Sequence, residues 1–287
     1  MSLYRKVLFP TDYSCNSDHA LAHAIRLTNF RDGELIIQHV ASDYFDRTPH
    51  WISLFDVREL QLHMDSFAQQ EMAKTLASIG GGVTIRPIIS RGRVVKEIVA
   101  LAEKEFVDLI VMGSAAGTVT DAVIRSTSRP VLAISSHVQP PAALAGSACR
   151  ILVATDLSEH SRKVVRYAID LQKEFGATIY LLYVIETSRA VEFALSQEHC
   201  PDATGRMKEW AMNQLLKLVP DESLHDPRVI RIVETGIASE RIASVAHKFA
   251  VDLTVLGTHE YGSMHKHLLE TAAGNRIPRL ESPLLTV

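Results

Sequence analysis

A short stretch of sequence occurs twice in this chain, and that repetition decides the fold. Residues 7–14 read VLFPTDYS and residues 151–158 read ILVATDLS, so Thr-Asp-x-Ser follows an apolar run both times. The spacing is 155 − 11 = 144 residues. A repeat of this length is too long for a solenoid unit, so each copy is predicted to be a complete small domain. The same spacing relates four further pairs, which are Val40 and Val184, Gly92 and Gly236, Asp108 and Asp252, and Gly113 and Gly257.

The domain boundaries follow from this register. A length of 287 residues suits two domains of ordinary size. We place the first copy at residues 1–138, a linker at 139–148 and the second copy at 149–287. The register breaks once, because Pro130 matches Pro283, which is 283 − 130 = 153 residues later. The second copy therefore has 153 − 144 = 9 extra residues before its last strand.

Apolar runs alternate with helical patterns in both copies. Predicted strands are 7–9, 34–40, 83–89, 109–112 and 130–134 in the first copy, and 151–153, 178–184, 229–233, 253–256 and 283–287 in the second. Strict β/α alternation predicts an α/β fold of two doubly wound, five-stranded parallel sheets with helices on both faces. The fifth strands would otherwise be exposed apolar edges. We therefore expect residues 131–134 to lie near 284–287 in an internal pseudo-dimer.

Composition excludes several classes of protein. The 47% hydrophobic content is ample for two cores. A net charge of −3, without a basic block, argues against a nucleic-acid partner. No apolar run reaches about 18 residues, so no membrane span is predicted. The amino terminus has no signal-peptide core, and Cys15, Cys149 and Cys200 lack the spacing of metal ligands, so we expect a cytoplasmic protein with reduced thiols.

The candidate site lies where the predicted strands end. In an open doubly wound sheet, ligands bind beyond the carboxyl ends of the strands, where the strand order reverses. Thr-Asp follows strand one, at residues 11–12 in the first copy and 155–156 in the second. A glycine follows strand four, Gly113 in the first copy and Gly257 in the second. Glycine lets backbone amides approach a phosphate, and the start of a helix favours an anion. The alternative is that the aspartates only cap the next helix and the glycines only make tight turns.

These motifs resemble the universal stress protein family in its tandem form. The resemblance rests on Pro-Thr-Asp-x-Ser at 10–14, VDLIVMGS at 107–114, VDLTVLGTH at 251–259 and SPLLTV at 282–287, and it covers nearly the whole chain. It implies a Rossmann-like, adenine-nucleotide alpha-hydrolase-like fold of five strands and a cytosolic location. It also implies a stress-related role and pairing through the fifth strands. Some members of the family bind ATP and others do not.

The loop after strand four departs from the pattern of the ATP-binding members, Gly-x2-Gly-x9-Gly-[Ser/Thr]. In the first copy Gly113 and Gly117-Thr118 match its ends, but the middle glycine and nine residues are missing. The second copy keeps the length, yet Glu260 and Glu270 replace two glycines. The resemblance therefore implies two unequal, degenerate pockets. Any nucleotide is expected to favour the first copy at its base end and the second copy at its phosphate end.

The family's binding positions map onto residues of both copies. They are Thr11, Asp12, Val40, Gly113, Ser114, Gly117 and Thr118 in the first copy, and Thr155, Asp156, Val184, Gly257, Thr258 and Thr271 in the second. The implied cofactor is ATP or another adenine nucleotide, and Mg²⁺ could accompany it because a divalent ion would neutralise nearby carboxylates. His259, His265 and His267 crowd the second loop, and we expect a solvated loop there rather than a metal site.

The leading interpretation is a non-enzymatic binding or regulatory module of the stress response. The sequence has no Gly-x-Ser-x-Gly elbow and no Gly-x4-Gly-Lys-[Ser/Thr] loop. Two alternatives stay open. One is a weak ATPase or self-phosphorylating enzyme that uses Asp12 or Asp156 with a metal, and the other is a structural interaction module with vestigial pockets. The expected partners are an adenine nucleotide, a protein of unknown identity and a second copy of the chain in a homodimer.

Charge, rather than loop length, is predicted to weaken ATP binding in the second copy. Glu260 and Glu270 would face the phosphates, and each close pair of like charges costs on the order of a few kcal/mol before screening. The double change Glu260→Gly and Glu270→Gly should raise ATP affinity at low salt by at least about tenfold. AMP and high salt are the controls, since both should show a smaller gain. A double variant that binds ATP no better than the parent would rule out the charge explanation.

Overall fold

The structure is a computed structural model, and it describes most of both copies. The described residues are 4–29, 33–42, 57–80, 82–114, 119–135, 138, 149–187, 201–257, 280 and 282–287. They form two compact units whose main division falls between residues 136 and 137. No helix within these ranges is both long and apolar enough to cross a membrane.

The first copy contains five parallel strands and four helices in its described part. In chain order they are β1 (Lys6–Thr11), α1 (Cys15–Asn29), β2 (Glu34–Ser42), α2 (Val57–Ser78), β3 (Thr84–Gly92), α3 (Val94–Lys104), β4 (Leu109–Ser114), α4 (Val119–Ser126) and β5 (Val131–Ser135). The strand order is β3-β2-β1-β4-β5, and every pair is parallel. The predicted doubly wound, five-stranded sheet is confirmed for this copy.

The second copy repeats this arrangement. Its elements are β6 (Arg150–Thr155), α5 (Glu159–Phe175), β7 (Thr178–Glu186), α6 (Pro201–Leu218), a short 3₁₀ helix (Asp221–Ser223), β8 (Val229–Gly236), α7 (Ala238–Lys248), β9 (Leu253–Leu256) and β10 (Leu284–Thr286). The parallel strands follow the order β8-β7-β6-β9-β10. The last helix expected in this copy would fall outside the described residues. The packing of the two copies through their fifth strands stays a prediction.

Central strands of both sheets are buried because helices cover both faces. Residues Val7, Leu8 and Phe9 of β1 are at most 1% exposed. Neighbouring residues of β2 reach opposite sides: the side chain of Gln38 contacts α3, whereas His39 stacks on Tyr13, which is hydrogen-bonded to α2. Helices therefore lie on both faces of the first sheet, as predicted.

A carboxylate holds the start of the first strand in each copy. Asp108 Oδ2 accepts hydrogen bonds from the backbone amides of Arg5 and Lys6, at 2.9 and 2.8 Å. Asp252 Oδ2 accepts from the amide of Arg150 at 2.8 Å. This explains why an aspartate recurs at the start of β4 and β9: it satisfies strand amides that the ladder leaves unpaired. Both aspartates lie at the amino ends of their sheets, away from the candidate sites.

Candidate functional site

Each sheet opens between two strands at its carboxyl end. In the first copy β1 pairs with β2 along its whole length, from Lys6 to Thr11. Its pairing with β4, another fully described strand, stops at Leu8 and Ile110. In the second copy the pairing of β6 with β9 continues to Val153 and Val255. The strand order reverses at these places, and open α/β sheets bind ligands in the crevice at such a position.

A tight turn after β1 forms one wall of the first crevice. Tyr13 has a positive φ of 61°, which is uncommon for a non-glycine residue. Its amide donates to Thr11 Oγ1 at 3.0 Å, and the amide of Ser14 donates to Asp12 Oδ1 at 3.0 Å. The hydroxyl of Ser17 donates to the same Oδ1 at 2.6 Å. Three hydrogen bonds therefore stabilise the turn in which Tyr13 takes the left-handed conformation.

The second copy builds this turn with the same atoms. Leu157 has a φ of 66°, and its amide donates to Thr155 Oγ1 at 3.0 Å. Asp156 Oδ1 accepts from the amide of Ser158 at 2.8 Å and from the hydroxyl of Ser161 at 2.7 Å. The repeated motif is thus Thr-Asp-x-Ser-x-x-Ser. Reasoning from sequence missed its last serine, although the pair is 161 − 17 = 144 residues apart like the other landmarks.

The suggestion that the aspartates cap the next helix is wrong. The N-cap of α5 is Ser158, whose side chain accepts from the amide of Ser161. Ser14 accepts from the amide of Ser17 in the same way, at 3.4 Å. The aspartate lies two residues earlier and binds the side chain of the third helical residue. The aspartate therefore stabilises the turn and does not cap the start of the helix.

Asp12 is an accessible anion. Burial raises the pKa of its carboxyl, but hydrogen bonds from Ser14 and Ser17 outweigh burial, and the pKa lies below the ordinary value of 3.8. Asp12 is nevertheless exposed. A charged acceptor is thus available at neutral pH to a ligand that can donate a hydrogen bond.

Gly113 is required for a close approach rather than for a turn. A Cβ built on it would lie 2.5 Å from the backbone oxygen of Asn16 and 3.0 Å from the nitrogen of Ser17. Its carbonyl oxygen accepts from the hydroxyl of Thr120, at 2.8 Å, and Ser114 beside it is 5% exposed. The end of β4 is therefore packed directly on the first turn of α1. This contact fixes the width of the crevice at its base.

The side chains near the carboxyl ends of β2 and β7 differ between the two copies. Val40 and Val184 are each 8% exposed. Next to Val40, the ring of His39 stacks on Tyr13 at 4.5 Å between centroids, and its Nδ1 is 3.0 Å from the carbonyl oxygen of Thr11. Tyr183 occupies the equivalent position in the second copy, where burial and then neighbouring carboxylates raise its pKa. The two copies have equivalent strands here, but the side chains at this position differ in their chemistry.

The described candidate residues lie along the carboxyl edge of each sheet. Their role in binding stays a prediction. Gly117, Thr118, Thr258 and Thr271 lie outside the described residues, as do Glu260, Glu270 and the three histidines of the second loop. Within the described ranges, no group of three or more His, Cys, Asp or Glu side chains is arranged to hold a metal ion.

The Ser17 hydroxyl is predicted to keep the Asp12 carboxyl acidic. In Ser17→Ala the burial that raises the pKa remains while one hydrogen bond that lowers it is lost, so the pKa of Asp12 should rise. Titration of the Asp12 carboxyl by carbon-detected NMR measures this directly. The matched control is Ser161→Ala, which should leave Asp12 unchanged. An unchanged Asp12 pKa in Ser17→Ala would show that the hydroxyl does not stabilise the charge.

Comparison with known proteins places this geometry in a family. The sequence profile of the universal stress protein family matches residues 3–137 and 149–287. A universal stress protein of Methanocaldococcus jannaschii is 29% identical over 154 residues, a match that covers 46% of this chain and 95% of that protein. One of Methanothermobacter thermautotrophicus is 28% identical over 135 residues, covering 46% and 90%. Each of these relatives corresponds to about half of this chain.

A solved structure that matches nearly the whole chain has the same fold. A universal stress protein from Archaeoglobus fulgidus has a TM-score of 0.61 at 19% identity, and the match covers 99% of this chain and 98% of that one. A universal stress protein in complex with cAMP is 22% identical over a match that covers 46% of this chain and 98% of that one, with a TM-score of 0.33. Because the family profile matches both copies, this chain belongs to the universal stress protein family and carries the family's domain twice.

Proposed function

We propose that this protein is a non-enzymatic stress-response regulator that binds an adenine nucleotide in the crevices at the carboxyl ends of its sheets. One observation carries the proposal. The turn after the first strand is built with the same hydrogen bonds in both copies, at Asp12 and at Asp156, beside strands that separate. Strained turns persist where the surrounding structure holds them and often mark functional sites.

The charge of Asp12 suggests how a nucleotide would be oriented. An ionised carboxylate repels phosphate but accepts hydrogen bonds from hydroxyl and amino groups. The ribose and base would therefore lie near Asp12 and Val40. The phosphates would point towards Gly113 and the loop that follows β4, since backbone amides and a helix start favour anions. This orientation agrees with the positions that the family resemblance implies.

Binding without turnover is favoured over catalysis. A general base works best when its pKa lies near the operating pH, and the pKa of Asp12 is below 3.8. Such a carboxylate is a weak base at neutral pH. The aspartate is also hydrogen-bonded through Oδ1 to Ser14 of its own turn and to Ser17 in the first turn of α1. These features suit a fixed recognition group better than a nucleophile.

The direct test is calorimetry of the full chain with ATP, ADP and AMP, with and without Mg²⁺. Asp12→Ala should lower the affinity of the first copy by about tenfold, because one charge-assisted hydrogen bond is lost. Asp12→Asn is the matched variant: its side-chain oxygen can keep the turn while the charge is removed. Asp156→Ala and Asp156→Asn repeat the comparison in the second copy. The thermal midpoint of each variant shows whether the turn survives.

Three results would contradict the proposal. Absence of binding by every nucleotide would favour the structural module with vestigial pockets. Magnesium-dependent release of phosphate that disappears in Asp12→Asn or Asp156→Asn would identify the weak ATPase instead. Equal binding by the parent and both alanine variants would place the nucleotide elsewhere on the molecule.

A further inference from the structure

Helix α2 of the first copy is 22 residues long but buries few apolar side chains. Among residues 59–78, whose side chains the structure describes, the buried hydrophobic residues are Ala68 and Met72. Leu62 and Phe67, in contrast, are 69% and 57% exposed. Packing of an apolar face is what usually holds a helix in a folded protein, so α2 depends on other contacts to stay in place.

Polar contacts hold α2 at two points near the carboxyl end of the first sheet. The hydroxyl of Tyr13, in the turn after β1, donates to the backbone oxygen of Ala68 at 3.1 Å. Arg91, close to the end of β3, donates to Asp65 and forms an ion pair with it. Burial, and then the carboxylate of Glu71, raises the pKa of Tyr13 to about 12, so its hydroxyl remains a donor at neutral pH. One hydrogen bond and one ion pair therefore supplement the small apolar contact of this helix.

Tyr13 connects α2 both to the turn and to β2. Its ring stacks on His39 of β2, and it meets the ring of Phe67 on α2 edge-on, at 6.5 Å between centroids. Its backbone has the positive φ of the turn. Such a conformation is unfavourable for a tyrosine and persists only where surrounding contacts hold it. The contacts of Tyr13 with α2 are among these, so docking of α2 and the conformation of the turn favour each other.

The second copy holds the equivalent helix in another way. Leu157 stands at the position of Tyr13, at 13 + 144 = 157, and has no hydroxyl to donate. Its helix α6 buries Ala211, Leu215 and Leu218. Apolar packing therefore contributes more to the docking of α6, and the hydrogen bond from the turn to the helix is specific to the first copy.

We propose that α2 is a detachable strap across the carboxyl end of the first sheet, and that its docking is coupled through Tyr13 to the turn at residues 11–14. In the released state α2 leaves the sheet while the strands remain folded. An event that orders the turn tightens the strap, and by linkage docking of the strap orders the turn. An event that displaces Tyr13 releases α2 together with its exposed Leu62 and Phe67. This coupling is a property of the fold and does not depend on nucleotide binding.

Amide hydrogen exchange of the full chain without any ligand tests the coupling. In the parent, amides of α2 should exchange faster than those of β1, because release of α2 leaves the strands folded. Tyr13→Phe keeps the ring but removes the hydroxyl. It should make exchange in α2 and in residues 11–17 about fivefold faster, as expected for the loss of one hydrogen bond. Tyr183→Phe is the matched control: it removes a hydroxyl near the carboxyl end of β7 and should leave α2 and the first turn unchanged.

Arg91→Gln tests whether the effect passes through the helix. Arg91 lies on β3, which is separated from β1 by β2. Loss of its ion pair should make exchange in α2 about threefold faster, and exchange in residues 11–17 should become faster with it. Asp65→Asn removes the same ion pair from the helix side and should give the same result. The test therefore stands if one of the variants does not fold.

Three results would overturn the coupling. The first is exchange in α2 as slow as in β1 of the parent, because α2 would then open only when the whole domain unfolds. The second is an unchanged α2 in a folded Tyr13→Phe. The third is faster exchange in α2 of Arg91→Gln and Asp65→Asn while residues 11–17 stay unchanged. No nucleotide is present in these measurements, so their outcome is independent of whether the crevices bind one.

Discussion

The close approach of Gly113 to the first turn of α1 is the contact on which the geometry of the first site depends. A single methyl group at this position would meet the backbone of Asn16 at 2.5 Å, and backbone cannot move aside as a flexible side chain can. The contact places the end of β4 against the residue that precedes Ser17. Since Ser17 holds Asp12, the end of β4 and the turn after β1 form one rigid group.

The two copies share the backbone conformation and hydrogen bonds of their turns and strand starts, but other side-chain contacts differ between them. The positive φ values, the Thr-Asp turn and the aspartate at the start of β4 recur with nearly the same distances. Elsewhere the chemistry differs: Arg86 binds Glu34 and Glu105 in the first copy, whereas Tyr180 stacks on Phe249 at 4.4 Å in the second.

Much of the fold could be predicted from the sequence because its determinants are local or periodic. Short apolar runs between helical patterns give the strands, and a glycine, Gly176, ends α5 in the left-handed conformation that glycine favours. The conformation of the turn was harder to predict from the sequence, because tyrosine does not favour the positive φ that Tyr13 adopts. That conformation comes from hydrogen bonds that form only once β1 and α1 are in place.

The parts of the site that escaped prediction depend on contacts between distant residues. The sequence pattern around Gly113 suggests a phosphate loop, but it does not reveal how closely Gly113 approaches the backbone of Asn16, almost a hundred residues earlier in the chain. The Ser17–Ser161 pair could have been found, because it obeys the same spacing as the other landmarks.

Amide hydrogen exchange with and without ATP tests the central claim most directly, namely that the crevices at the carboxyl ends of the sheets are the binding sites. The account predicts slower exchange on adding ATP in residues 11–17, 155–161 or both, and no change in the strand starts near Asp108 and Asp252. Protection confined to the amino ends of the strands or to the edge strands β3 and β8 would contradict it. So would ATP binding without any change at the two turns.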